Sequence, residues 1–327
     1  MVGINVIKSQ KNRFWLLLLT ISISGMLCCE SVLSMGMGFD DEVEPASVPV
    51  LQITPGPLSS PIGLAPVYSR QKIKYLLVTD ALKKTVNKLD PLRPNDLEEL
   101  FKIDGQPLSV AKDRRLIFVG NRSQGSVDVY SMRGTKSRLV RQIKTEQPMQ
   151  PNDIAIDPRT RQIFVADGLA NDVKIFTLSG RLVRSIDGFG DLFDPKSVAI
   201  HRISKSIAIT DSGDPETGMP ASVQVYDYSG AQLLHKTGAF SAPRGVALSS
   251  DRLFVADALL GQVLVFNRED GTRLGSFGSF GTDPGQLLFP IDVVFDEETE
   301  TLYVVNNRMG RIVTYVPADF QPVEVSQ

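Results

Sequence analysis

The chain has 327 residues, of which 42% are hydrophobic and 22% are charged. This composition is typical of globular proteins and unlike that of disordered or collagen-like chains. The formal net charge is -2, and it becomes about -5 (-2 minus 3) without the first 27 residues, which carry three basic and no acidic side chains. We do not expect the protein to bind nucleic acid, because phosphate binding needs an excess of Lys and Arg on one face.

Residues 1–29 are predicted to be an export signal that ends in a lipidated cysteine. Three basic side chains precede the apolar run "FWLLLLTISISGMLCC". The core of this run is about 13 residues long, which is typical of a secretory signal and shorter than a membrane-spanning helix. Its end resembles the lipobox of bacterial lipoproteins. Cys29, after "MLC", is the preferred lipidation site; Cys28, after "GML", a plain cleaved signal and a short uncleaved anchor are the alternatives.

The rest of the chain has no cysteine, so the folded part holds no disulfide, thiolate metal site, cysteine nucleophile or covalently attached haem. Residues 30–47 mix Gly, Ser, Pro and acidic side chains without periodicity, which predicts a flexible tether. Residues 317–327 form a C-terminal tail. We therefore expect an extracytoplasmic protein held at a membrane by a lipid anchor, in the periplasm or on the cell surface, and otherwise a secreted one.

A repeated unit occupies residues 48–316, where runs rich in Val, Ile, Phe and Tyr alternate with turns and no 3.6-residue apolar period is sustained. Each copy opens on a proline, as in "PNDIAID" and "PIDVVFD", and continues to a second strand such as "IFVAD". The six opening prolines, called anchor prolines below, are Pro61, Pro107, Pro151, Pro195, Pro243 and Pro290. The second strands end at Asp80, Asn121, Asp167, Asp211, Asp257 and Asn306.

Six copies of about 45 residues, each with four short strands, predict an all-β fold, a six-bladed β-propeller. Such a sheet cannot bury both faces alone but can do so between neighbours. The last copy lacks a convincing fourth strand, while "VPVLQIT" at residues 48–54 has no partner. We expect residues 48–54 to be the outer strand of the sixth blade, because this pairing removes an open sheet edge.

The motifs "PRGVA", "LFVAD", "VLVFN" and "GTRLGSFGSFGTDPGQLLFP" closely resemble the NHL-repeat family over about residues 48–316. The resemblance implies a monomeric propeller in which the inner strands begin at the mouth of a central channel. It also implies that the turn between the second and third strands lies on the same face. Repeats of this type serve many functions, so the resemblance predicts the fold more firmly than an activity.

That arrangement places five candidate ligand-binding residues at the channel mouth: Asn152, Asp153, Arg244, Asp292 and Asn306. Asp153 and Asp292 lie on opposite blades, where the other copies have Gly or Ser, so the repeat does not require an acid there. A shared metal site, with calcium as the candidate cofactor, is one interpretation, since carboxylate oxygens suit Ca²⁺. Bonding of these carboxylates to nearby backbone groups is the other.

Two further surfaces are candidates. The fourth copy carries a six-residue insertion with Asp214 and Glu216, and long loops on rigid scaffolds often bind ligands, although length alone is also tolerated there. The second copy has a basic stretch in its outer half, which is either a charged sheet edge or a patch for an acidic partner or anionic headgroups. Its basic residues are Arg133, Lys136, Arg138, Arg141 and Lys144.

No nucleophile elbow, phosphate loop or histidine-paired nucleophile is present, and the chain has two histidines, whereas the metal lyases with similar repeats use several. The leading hypothesis is therefore a non-enzymatic scaffold that binds envelope proteins. The alternative is a calcium-dependent lactonase-like or lyase-like enzyme that uses Asp153 and Asp292 at the mouth. A sensor of small ligands or glycans is a third possibility.

Overall fold

The computed structural model describes residues 51–53, 58–69 and 72–316. A short strand, β1 (Leu51–Ile53), precedes the blades. Blade one contains β2 (Pro61–Ser69), β3 (Lys72–Asp80), β4 (Thr85–Asp90) and β5 (Arg93–Lys102). Blade two contains β6 (Pro107–Asp113), β7 (Leu116–Asn121), β8 (Ser126–Arg133) and β9 (Lys136–Ile143). Blade three contains β10 (Pro151–Asp157), β11 (Gln162–Asp167), β12 (Asp172–Thr177) and β13 (Leu182–Ile186).

The second half of the ring repeats this order. Blade four contains β14 (Pro195–His201), β15 (Ser206–Asp211), β16 (Ser222–Asp227) and β17 (Gln232–Thr237). Blade five contains β18 (Pro243–Leu248), β19 (Arg252–Asp257), β20 (Gln262–Asn267) and β21 (Arg273–Phe277). Blade six contains β22 (Pro290–Asp296), β23 (Thr301–Asn306) and β24 (Arg311–Tyr315). The predicted all-β, six-bladed β-propeller is confirmed.

The ring closes through the N-terminal strand, as the sequence predicts. β1 pairs antiparallel with β24 and completes blade six as its fourth, outer strand. Leu51 lies opposite Thr314, and Ile53 lies opposite Ile312. The observed strand is shorter than the predicted 48–54, whose remaining residues lie outside the described part of the chain.

The apolar side chains of the blades form six clusters within the described residues, one at each interface between neighbouring blades. At the interface of blades five and six, the Phe254 and Phe295 rings stack with their centroids 4.4 Å apart. At the closing interface, Leu76 and Val78 of blade one pack with Val305 and Ile312 of blade six. Each sheet is thus buried on both faces by its two neighbours.

Neighbouring inner strands approach each other closely at the second residue after the anchor proline. At Gly63 of blade one, an added Cβ would lie 2.6 Å from the carbonyl oxygen of Leu108 in blade two. At Gly245 of blade five, it would lie 2.5 Å from the Cα atom of Asp292 in blade six. The side chain at this position therefore faces the next blade, a geometry that determines what the acidic residues at this position can do.

The predicted leader, the tether at residues 30–47, the lipidation site at Cys29 or Cys28 and the tail at residues 317–327 lie outside the described residues. Within the described part, no helix has the length and apolar character needed to cross a membrane.

Removal of β1 tests the closure. A chain that begins at residue 58 leaves β24 as an unpaired edge, so its melting temperature is expected to be at least about 4 °C lower than that of a chain beginning at residue 48. Deletion of residues 317–327 from the other end is the control. Equal melting temperatures of the two N-terminal variants in calorimetry would show that β1 does not stabilise the ring.

Candidate functional site

The channel mouth is a cavity of about 450 Å³ on the face where the inner strands begin. The residue directly after each anchor proline lines it, so all six blades contribute one side chain to a ring. The members of this mouth ring are Ile62, Leu108, Asn152, Lys196, Arg244 and Ile291. Blades six, one and two supply the three apolar members, and blades three, four and five supply the polar and basic ones. The mouth ring therefore has an apolar half and a cationic half.

Below the mouth ring, Asp153 joins blade three to blade four. Its carboxylate accepts hydrogen bonds from the backbone N–H of Ile154 at 2.7 Å, from that of Val198 at 3.0 Å and from the Ser197 hydroxyl at 2.6 Å. The Ser197 oxygen in turn accepts the N–H of Val246 at 3.2 Å. This chain of bonds ties the inner strands of blades three, four and five together.

Asp292 makes the same connection from blade six to blade one. Its carboxylate accepts the N–H of Val293 at 2.8 Å and the N–H of Leu64 at 2.6 Å. Burial raises the pKa of Asp292 well above its ordinary value, and the negative charge of Asp153 adds to the rise. Burial also raises the pKa of Asp153. We call Asp153 and Asp292 the carboxylate clasps.

The residues present do not fit a calcium site. Ca²⁺ takes six to eight oxygen ligands, whereas both oxygens of each carboxylate clasp already accept backbone N–H groups, one from the following residue and one from the next blade. Within residues 51–53, 58–69 and 72–316, no group of three or more His, Cys, Asp or Glu side chains is arranged to hold a metal ion. The hydrogen bonds of Asp153 and Asp292 to backbone N–H groups agree with the second interpretation from the sequence, in which these carboxylates bond to nearby backbone groups.

Three basic side chains line the polar part of the mouth. Lys196 pairs with Asp194, and burial lowers the pKa of its ammonium group. The Arg244 guanidinium lies 6.0 Å from the centre of the Phe289 ring. Arg122 also lines the cavity. Among the described residues, neither Arg122 nor Arg244 forms a salt bridge or a side-chain hydrogen bond, so both are available to an anion.

Asn306, which the sequence places at the mouth, is not there. It is fully buried, and its amide accepts the N–H of Leu288 and donates to the carbonyl of Gln286, which holds the loop before β22. The next residue, Asn307, lines the cavity and donates to the carbonyl of Pro61 at 2.8 Å. Asn152 does lie at the mouth, where it donates to Asp194 and to the carbonyl of Pro195.

The insertion of blade four does not reach the mouth cavity. Asp214 accepts the N–H of Glu216 at 2.9 Å and the hydroxyl of Thr217 at 2.9 Å, and it pairs with Met219 across the loop. Asp214 is therefore buried in the turn of its own loop, while Glu216 is exposed. The loop lies on the mouth face but outside the cavity.

The basic stretch of blade two lies on its outer strand, β9, and on the flanking turns. Its members divide into one structural residue and four exposed ones. Arg141 donates to the carbonyl of Leu178 in blade three at 2.9 Å, which links the two blades. The four exposed residues are Arg133, Lys136, Arg138 and Lys144.

Large apolar side chains surround the mouth on the same face. Leu82, Leu169 and Leu259 stand at equivalent positions in the turns after β3, β11 and β19, and they are 72%, 61% and 60% exposed. Phe189 and Phe280, in the loops before β14 and β22, are 84% and 62% exposed. The four strands of a blade are antiparallel, so the second and fourth strands both end on the face where the inner strand begins. The turns after the second strands and the loops between blades therefore lie on the mouth face. These five residues form what we call the apolar rim.

Arg122, Phe289 and Asn307 are among the lining residues that we did not choose as candidates from the sequence. Arg122 and Asn307 follow the last residue of the second strand, where the other blades have Ala, Gly or Ser. Phe289 directly precedes an anchor proline. For Arg122 the aligned copies show a long charged side chain at a position that four other blades fill with Ala, Gly or Ser, which indicates a role outside the repeat.

Comparisons with known proteins agree on the fold. Residues 239–326, which include blades five and six, match the family described as DUF5128, 6-bladed beta-propeller. No curated protein matches the sequence significantly.

Three solved structures are similar at low identity. The aldose sugar dehydrogenase of Streptomyces coelicolor, in its PQQ-bound form, is 13% identical with a TM-score of 0.60, over 82% of this chain and 97% of that chain. A gluconolactonase of Xanthomonas campestris is 13% identical with a TM-score of 0.60, over 81% and 88%. A chain of the nidogen/laminin complex is 18% identical with a TM-score of 0.55, over 67% and 80%. At these identities the similarity shows the fold alone.

Substitution of Asp153 tests whether the hydrogen bonds of its carboxylate stabilise the ring. Asp153→Ala leaves the N–H of Val198 and the Ser197 hydroxyl without their acceptor, so the free energy of unfolding should fall by about 1–3 kcal/mol. Urea unfolding measures this loss, with Glu146→Ala as the exposed acidic control. Calcium should not change the stability difference between wild type and variant. A calcium-dependent gain in wild type alone would mean that Asp153 binds the ion.

Asp211 gives the fold a defined pH dependence. Burial raises its pKa from 3.8 to about 6. Its folded pKa is above its unfolded value, so the stability it contributes is fully present below about pH 3.8 and is lost as the pH rises through 6. Asn occupies the equivalent position at Asn121 and Asn306, so Asp211→Asn is a non-titrating variant; its amide has one acceptor oxygen where Asp211 uses two, a loss that does not depend on pH.

Relative to Asp211→Asn, wild type should lose roughly 2 kcal/mol of stability between pH 4 and pH 7, since one pKa unit is worth about 1.4 kcal/mol and the unfolded carboxyl is already partly ionised at pH 4. Urea unfolding of both proteins at the two pH values gives this difference directly. A stability difference that is the same at pH 4 and pH 7 would contradict the raised pKa.

Proposed function

We propose that this protein is an extracytoplasmic β-propeller scaffold that binds another protein of the bacterial envelope through its mouth face. The observation that supports this proposal is the apolar rim around a cationic mouth. Five large apolar side chains are exposed on this one face, and exposed apolar surface on one face of a protein often marks an interaction site. The resemblance to NHL repeats and the leader that resembles that of a lipoprotein support the same proposal, with a lipid anchor at Cys29 or Cys28.

The three rim leucines are not required by the blade. Each occupies the second position after the Asp that ends the second strand, and only its backbone N–H serves the turn. The N–H groups of Leu82, Leu169 and Leu259 donate to the preceding Asp carboxylate at 3.1, 3.1 and 3.2 Å. The equivalent residues in blades two and six are Ser123 and Arg308. The turn accepts a polar side chain, so an exposed leucine needs another explanation.

The chemistry of the partner follows from the charges on this face. Arg122 and Arg308 are exposed beside the mouth, and Arg244 lines it. A protein that presents apolar side chains to the rim and carboxylates to these guanidinium groups complements both features. The exposed basic residues of β9 extend the positive surface to the outer side of blade two and would favour the approach of the same acidic partner.

The enzymatic alternative, a calcium-dependent lactonase-like or lyase-like protein, rests on the fold shared with a gluconolactonase and on acidic residues in the channel. Those carboxylates would have to leave the backbone groups that they bind in order to coordinate a metal. The gluconolactonase similarity is limited to the fold. We therefore place the alternative second; turnover of a lactone by the purified protein that is lost in Asp153→Ala, but not in the folded control Glu146→Ala, would reverse the order.

The proposal is tested by cross-linking and co-purification from envelopes with a triple variant, Leu82→Ser, Leu169→Ser and Leu259→Ser. The matched control carries Leu92→Ser, Ile203→Ser and Leu233→Ser, which are exposed at 91%, 79% and 55% but lie away from the mouth face. A specific partner should be recovered at least about tenfold less with the rim variant, because each buried leucine contributes about 1.5–3 kcal/mol. Equal loss in both variants, or none in the rim variant, would contradict docking at this face.

A further inference from the structure

The two halves of the mouth ring differ in chemistry. Ile291 of blade six, Ile62 of blade one and Leu108 of blade two come from neighbouring blades, so they are contiguous around the ring. Phe289, which precedes the anchor proline of blade six, extends this apolar half. A ligand that enters the mouth therefore meets a continuous apolar wall on one side.

The opposite half carries positive charge. Asn152, Lys196 and Arg244 come from the neighbouring blades three, four and five, and Arg122 adds a second guanidinium to the lining. Asp194 balances one positive charge through its pair with Lys196. The charges of Arg244 and Arg122 each act on Lys196, so these three side chains lie close enough to affect one another. Asp153 and Asp292 also line the cavity, but their carboxylates bond to backbone groups, so Arg122 and Arg244 have no carboxylate partner among the described residues.

The carboxylates at the floor are not hydrogen-bonded to the arginines. Asp153 and Asp292 each direct one oxygen to a backbone N–H group of the next blade and the other to the N–H of the following residue. The guanidinium is planar and presents paired donors that match a carboxylate. Among the described residues, no protein carboxylate occupies those donors on Arg122 or Arg244.

We propose that the mouth cavity binds an organic carboxylate with an apolar body, its headgroup at Arg244 and Arg122 and its body against Ile62, Leu108, Ile291 and Phe289. The cavity volume of about 450 Å³ lies in the range of small-molecule sites. A phosphate or acetate ion lacks the body, and a neutral amphiphile lacks the headgroup, so each should bind more weakly. The site does not require the protein partner proposed above.

The experiment is isothermal titration calorimetry of the purified chain with four probes: octanoate, octanamide, acetate and inorganic phosphate. Octanoate should bind saturably and at least about tenfold more tightly than the other three, a ratio that corresponds to about 1.4 kcal/mol. Saturable binding of octanamide with equal affinity would overturn the role of the charge. Equal binding of acetate would overturn the role of the apolar half, and absence of octanoate binding at millimolar concentration would overturn the site.

Single substitutions test which residues bind the headgroup and which bind the apolar body of the ligand. Arg244→Gln should weaken octanoate at least about tenfold and leave any octanamide binding unchanged, whereas Ile62→Ser should weaken both amphiphiles. Arg138→Gln, on the exposed outer strand of blade two, is the matched control for the loss of one guanidinium. Circular dichroism and the melting temperature confirm that each variant is folded. Undiminished octanoate binding by Arg244→Gln would overturn the assignment of the headgroup.

The result is independent of the scaffold proposal. If the rim variant loses its protein partner while octanoate fails to bind, the carboxylate site is wrong and the scaffold stands. If octanoate binds as expected while the rim variant recovers its partner unchanged, the scaffold is wrong and the carboxylate site stands.

Discussion

The structure depends on the burial of both faces of each small sheet between its two neighbours. A four-stranded sheet with apolar side chains on both faces is unstable alone, and here each face contributes to an apolar cluster shared with the next blade. The ring must close for the last face to be covered, and β1 closes it by pairing with β24. Every other feature of the molecule, including the mouth, exists because six inner strands converge around one axis.

That convergence determines the chemistry of the channel. Inner strands approach so closely that the second residue after the anchor proline is either Gly or a side chain that bonds the next blade. The acidic residues there bond the next blade, and their burial raises their pKa values. The residue one position earlier faces the lumen. The residue at that position differs from blade to blade, and the ring it forms has an apolar half and a cationic half.

The sequence predicts the blades, their order and the closing strand well, because the repeat states the same pattern six times. The site was harder to predict. Asn306 aligns with the Asp and Asn residues that end the other second strands and is buried like them, so the lumen is lined by Asn307, one residue later. Asp153 and Asp292 lie in the channel lining, but a sequence does not reveal whether a carboxylate faces the lumen or a neighbouring N–H. Arg122 and Phe289 matter through the side chains that the ring brings near them, which no local pattern encodes.

The most direct test of the carboxylate clasps is amide hydrogen exchange at Val198 and Leu64, measured with and without calcium. If Asp153 and Asp292 hold these N–H groups to join blades, both amides should exchange only through global unfolding, at rates that calcium leaves unchanged. Rapid exchange at either amide, or rates that change when calcium is added, would show that the carboxylates are free for another role.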